Sequence, residues 1–285
     1  MRNKLNQTQK SLDQKIAQKR KLPHFGLIIG LGLSFATGVQ AERKTTKPSF
    51  NHQHPIFNQI LKKHVRSKKF SSEFDYKGLK QNRAKFDQYV QSLSNVTEAQ
   101  YQTMGKNEKL AFLINAYNAF TLKLIIDNYP VKSIRDLGGF LSSVFKKDFF
   151  QFRGAERSLG EVEHEMIRKE FDEPRIHFAI NCASVGCPAL RNEAFTPKTL
   201  MAQLEEQKIT FLKDTSRNRY DAKTKKLYIS KIFDWFDDDF EKAAGSVKAY
   251  VLEVLAPNQN LAQVEIEDYT EYDWRLNDLG SVKTP

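Results

Sequence analysis

Cysteine is scarce in this chain: two in 285 residues, both within residues 175–188. One intrachain disulfide is therefore the most it can form, and a four-ligand zinc site would have to recruit His164 and His177 beside Cys182 and Cys187. Their spacing matches no standard zinc finger, and no metal or cofactor is expected. Long apolar runs are scarce too. Phe25 to Thr37 is too short for a comfortable membrane span, and no later segment reads as apolar enough to cross. There is no internal repeat and no long low-complexity segment, which excludes solenoid architectures. The acidic run from Asp234 to Asp239 lacks the oxygen spacing and the terminal Glu of a calcium loop.

The excess of positive charge is largely confined to the N-terminus. The full chain carries a formal net charge of +11. Residues 1–41 hold seven of the 45 basic and one of the 34 acidic side chains, which leaves a net +5 for the remainder. Lys19-Arg20-Lys21, the apolar stretch after it and Val39-Gln40-Ala41 have the layout of a secretory signal peptide. The expectation is export to the periplasm or the medium, with an uncleaved anchor through residues 25–37 as the alternative. No nucleic-acid partner is expected. A mildly basic mature surface is compatible with association with an anionic membrane face.

Residues 42–55 read as a polar linker and 56–285 as one globular domain, large enough for a sizeable core. The strongest element is a helix over residues 107–128, apolar nearly all round and therefore central and buried. Asn115 and Asn118 interrupt it, three apart on one side. A buried amide needs hydrogen-bond partners, so these two either tie down a neighbouring loop or serve a site. Residues 158–171 read as a helix opened by a Ser158–Glu161 capping box. Ile176, Phe178 and Ile180 alternate with His177, Ala179 and Asn181 in the period of a strand, leading into a turn at Gly186 and Pro188. Short strands at residues 227–230 and 264–272 complete a helix-rich α+β fold, its buried central helix packed on a small antiparallel sheet.

A thiol at the end of a buried strand suits a nucleophile. Cys182 is the candidate, activated by a basic neighbour or by a helix start. His164 lies among acids that would raise its pKa and orient its ring. The simplest competing reading is a disulfide between Cys182 and Cys187.

These segments resemble the family named domain of unknown function 547. The resemblance rests on the run from Leu110 to Ala119, on Val162 to Arg168, on Arg175 to Ser184 and on Cys187-Pro188. Weaker likenesses extend to Tyr228-Ile229-Ser230, Phe233 to Phe236, and Tyr272-Asp273-Trp274 with Leu276-Asn277. In order they span about residues 100–280. In that family the positions of Asn115, Asn118, His164 and Cys182 recur, while those of His177 and Cys187 are replaced in many plant members. The resemblance implies a Cys182–His164 pair with Asn118 or Asn115 nearby, but no substrate. From the residues the expected function is a thiol-dependent acyl-transfer enzyme acting on a small-molecule or peptide substrate. The residue types are similar to those of papain-like and transglutaminase-like enzymes, but the order Asn, His, Cys requires a permuted fold or convergence. The alternatives are a non-catalytic envelope interaction protein and a zinc-binding module.

Overall fold

Thirteen of the residues between Lys106 and Asn128 are large or small apolar groups distributed on every face, so this segment can be helical only where other elements cover it on all sides. In a computed structural model that describes residues 50–139 and 143–280, it is helix α5 (Lys106–Asn128). Every residue from Leu110 to Leu122 is buried. By length and composition alone α5 is apolar enough to cross a membrane, contrary to the sequence expectation, but the folded domain encloses most of it. Tyr129-Pro130 ends it, because the residue before proline is pushed to extended backbone.

Around α5 the chain lays down α1 (Pro55–His64), a hairpin of β1 (Val65–Ser67) and β2 (Ser72–Phe74), then α2 (Tyr76–Gln81), α3 (Ala84–Ser94) and α4 (Glu98–Gln102). Thr97 caps α4 through a reciprocal box with Gln100. The antiparallel hairpin of β3 (Phe150–Phe152) and β4 (Ala155–Arg157) turns at Arg153-Gly154, both at positive φ. It packs on the central helix through Phe150 stacked on Phe120 and Phe152 stacked on Phe112. The packed chain begins earlier than its polarity suggests. His54, within the stretch read as a linker, is buried, and its Nδ1 lies 2.7 Å from the Tyr89 hydroxyl. The candidate signal peptide lies outside the described residues.

A second half follows. Residues 159–170 are helical with a π-helical stretch at Glu161–Ile167, ending in α6 (Arg168–Glu170). The capping box is present: the Ser158 backbone N–H donates to Glu161 Oε2 and the Glu161 N–H to Ser158 Oγ. After α7 (Leu200–Leu212), strands β5 (Arg219–Asp221) and β6 (Lys226–Ser230) pair antiparallel, and β6 pairs in parallel with β7 (Glu265–Thr270). Between them lie α8 (Ile232–Trp235), α9 (Asp237–Ala244) and α10 (Val247–Leu255). The molecule is thus the helix-rich α+β fold expected, with the strands of the described residues divided among three small sheets rather than one. Two apolar clusters result, one built on α5 and one on Phe178, Phe211, Phe233, Phe240 and Tyr250.

The expected strand before the cysteines does not form. Pro174–Phe178 is a 3-10 helix and residues 179–182 are irregular. The alternation of Ile176, Phe178 and Ile180 does not separate two faces, since every residue from Ile176 to Asn181 is buried.

Candidate active site in the seam between the two cores

Asn118 explains how an irregular segment is held where a strand was expected. Its amide N–H donates to the Ala179 carbonyl at 3.0 Å, and its oxygen accepts the Asn181 N–H at 2.8 Å. One side chain of the central helix thus takes the place of a neighbouring strand. Asn115 does the same to the next loop, through the Phe195 carbonyl and N–H. Both amides therefore serve backbone, and neither hydrogen-bonds to His164 or to a sulfur. They leave the set of reacting groups expected from the sequence, and Asn118 becomes a positioning residue for the cysteine loop.

That loop is fixed from several directions. Asn181 closes it internally, donating to the Pro188 carbonyl and accepting the Ala183 N–H. Ala183 takes a left-handed conformation, φ +62°, unfavourable for a residue with a Cβ and held by these bonds. Arg217 donates to the carbonyls of Cys187 and Val185. The Val185 and Gly186 N–H groups donate to Arg275 and Asp273 of the late chain, and Ala183 accepts from Asn277. Gly186 is needed for this approach: a Cβ there would stand 2.9 Å from the Asp273 nitrogen and 3.0 Å from the Tyr272 ring.

The loop brings both sulfurs together, 2.6 Å apart, with both cysteines free. No helix starts at Cys182, so no helix dipole acts on it. Instead, Cys187 Sγ accepts hydrogen bonds from the backbone N–H of Cys182 (3.0 Å) and Ser184 (3.4 Å) and from the Tyr272 hydroxyl (3.1 Å). Burial raises the Cys187 pKa, but the Cys182 thiol, Tyr272 and these N–H groups outweigh it and the net shift is downward. Cys182, beside it, is pushed well above its ordinary value by the hydrogen bond to Cys187 and by burial. The pair shares one readily lost proton, with negative charge best stabilised on Cys187.

Both sulfurs line a cavity of about 280 Å³ in the seam between the two apolar clusters. One wall is aromatic: Trp235, Tyr272 and Trp274 pack with ring centres 4.7–5.8 Å apart, and Trp235 is exposed. Another part of the lining comes from the π-helical turn, which presents the adjacent residues Glu163 and His164 to the same space. π-Turns carry one residue more per turn than an α-helix and recur at functional sites.

His164 and Cys182 thus share a cavity, but no hydrogen bond joins them. His164 is exposed, and its Nδ1 lies 3.3 Å from Arg168 Nη1. Partial burial of the ring and the Arg168 charge lower its pKa, the reverse of the shift its acidic neighbours in sequence suggest. Arg168 also forks onto Asp239, whose Oδ2 accepts from His177 Nε2 at 2.7 Å. Burial outweighs that carboxylate and takes His177 down to about 4. Its ring stacks on Phe236 at 3.9 Å, and its buried Nδ1 finds no partner among the described residues. Asp239, the last acid of the run from Asp234, links a His177–Asp239–Arg168–His164 chain.

Glu163 was not singled out by the sequence, where it is one acid among Glu161, Glu163 and Glu165. It is only 8% exposed, and its hydrogen bond comes from the Tyr117 hydroxyl at 3.3 Å. Burial, opposed by Tyr117 and Arg168, raises its pKa to about 7. Tyr272 was also missed, because its 85-residue separation from Cys187 leaves no local signal. The four-ligand zinc set is not assembled: among the described residues no three His, Cys, Asp or Glu side chains converge on a metal position.

No curated protein and no solved structure is matched by this chain. Residues 101–212, which carry Asn118, Glu163, His164 and both cysteines, match the model of the family described as Protein of unknown function, DUF547.

Proposed function

We propose that the protein is an exported thiol-dependent acyl-transfer enzyme with Cys182 as its nucleophile. The observation that carries this reading is the convergence of a thiol pair, an imidazole and a buried carboxyl on one half-open, aromatic-walled cavity. The Cys182 sulfur attacks the substrate carbonyl and forms a carbon–sulfur bond. Its proton passes to a titratable group of the cavity wall and from there to the leaving group, whose bond to the carbonyl carbon breaks. Water or a second nucleophile then releases the acyl group. Cys187, the more acidic partner, holds the negative charge when the pair loses its first proton.

Intact-mass measurement after incubation of the reduced protein with S-phenyl thioacetate tests this. An acetyl adduct on Cys182, lost in Cys182→Ser and kept in Cys187→Ser, is expected. No adduct, or one that survives Cys182→Ser unchanged, overturns the reading.

The contact between the two sulfurs supports a second reading, a non-catalytic envelope protein in which the pair is a structural disulfide. An external disulfide would join Cys182 to Cys187 and be released as two thiols. Protein isolated from the envelope without reductant would then resist alkylation at both positions and fail to form the acetyl adduct even after reduction. Export is tested by the N-terminus of the envelope form: a start at residue 42 supports cleavage, and Met1 or Leu27 peptides count for an anchor.

A further inference from the structure

Arginine only donates hydrogen bonds. The His164 Nδ1 that faces Arg168 Nη1 must therefore carry a lone pair, and in the neutral ring the proton sits on Nε2. A histidine in that tautomer offers the cavity a donor, not a base. The neighbouring residue on the same π-turn offers the complementary group. Glu163 is a buried carboxyl in the cavity wall whose hydrogen bond, among the described residues, is a long one from Tyr117.

Resting on the thiol acyl-transfer reading, we infer that Glu163 is the catalytic residue that carries the proton, that His164 donates its Nε2–H to the oxyanion, and that the substrate bond is an amide or isopeptide. Glu163 as carboxylate takes the Cys182 proton as the carbon–sulfur bond forms. As carboxylic acid it returns that proton to the departing nitrogen as the carbon–nitrogen bond breaks. In the second half it removes a proton from the attacking water and delivers it to the Cys182 sulfur. Such a group matters most for an amine leaving group, which cannot depart unprotonated, and less for a thiolate. The groups around Glu163 set its charge state: the Tyr117 hydroxyl from α5, Arg168 one turn on and Asp239 from α9. Burial against these keeps it poised near neutrality, at about 7. His164, by contrast, is shifted toward the neutral form by partial burial of its ring and by Arg168, as suits a hydrogen-bond donor to an oxyanion.

The test uses two probes with one acyl group and different leaving groups, S-phenyl thioacetate and 4-nitroacetanilide. The rate of Cys182 acetylation is followed by mass spectrometry between pH 5 and 9. Glu163→Gln should slow both probes, because each needs the Cys182 proton removed, but should slow the anilide at least about tenfold more than the thioester, because only the anilide needs its leaving group protonated, and it should abolish the inflection near pH 7. His164→Gln should slow both probes while keeping that inflection. Equal losses for both probes in Glu163→Gln, or loss of the inflection in His164→Gln alone, would overturn the assignment. Thioester acetylation without any anilide reaction in the unsubstituted protein would overturn the amide assignment while sparing the thiol reading. Failure of both probes refutes the thiol reading itself and this inference with it.

Discussion

Replacing Asn118 with leucine is the sharpest perturbation of the link between the central helix and the cysteine loop. Leucine matches asparagine closely in shape and suits an apolar helix, so packing alone predicts a neutral or stabilising change. The hydrogen bonds predict the opposite. Asn118 is 2% exposed and satisfies both the Ala179 carbonyl and the Asn181 N–H. Leucine would leave a buried acceptor and a buried donor unpaired, at about 1–3 kcal/mol each. Refilling an apolar position offsets about 1 kcal/mol of this. The expected net loss is about 1–5 kcal/mol, a large part of the roughly 5–15 kcal/mol that holds a domain of this kind folded. Urea denaturation should show the midpoint falling with little change in slope. Cys182 lies one residue beyond the clamp, so its alkylation by iodoacetamide should also change under conditions where the variant is fully folded. A loss below about 0.5 kcal/mol with unaltered alkylation would show that the loop is held by its other contacts, and the positioning role would fall.

Stability should decline with pH where Glu163 titrates. Its pKa rises from 4.5 to about 7 on folding, so the folded state binds the extra proton. The benefit is full below pH 4.5 and lost as pH passes 7, about 3 kcal/mol in all. Denaturation between pH 4 and 8 should show this slope, flattened in Glu163→Gln. Asp239→Ala should destabilise by about 2–4 kcal/mol, since it strands the buried His177 and the half-buried Arg168. Because His177 and Arg168, against the effect of burial, hold the Asp239 carboxyl well below its ordinary 3.8, its contribution is present above that value and lost as pH falls further. The variant should lose that acid limb in a pH-dependent melt. Gly186→Ala should cost about 1–3 kcal/mol by pushing the loop away from Asp273 and Tyr272. By loosening the Tyr272 hydroxyl from Cys187, it should also move the pH midpoint of thiol alkylation upward.

Elements with a strong internal rhythm are legible in the order of residues alone. Residues 106–128 declare a central helix because no amphipathic face survives in them, and Ser158 with Glu161 announces a helix start through a local exchange of hydrogen bonds. The segment before the cysteines misleads because period-2 alternation signals a strand only when one face meets solvent. Here both sides are buried and the missing ladder partner is a side chain 61 and 63 residues away. Of the candidate residues, Cys182 and His164 do reach one cavity. The roles of Glu163 and Tyr272 depend on which of three glutamates a π-turn buries and on which distant hydroxyl meets a sulfur. Neither is a property of neighbouring residues.

The docking of residues 273–277 against the cysteine loop has a consequence in time. A chain leaving the ribosome presents α5, Glu163, His164 and both cysteines well before Tyr272 and Trp274 exist to wall the cavity. During that interval the two thiols lack their phenolic partner, and the loop lacks the backbone bonds that pin Val185 and Gly186. Completion of the cavity is thus postponed until nearly the whole described domain has been made, and a fragment limited to residues 101–212 would hold both sulfurs without the aromatic wall of Trp235, Tyr272 and Trp274.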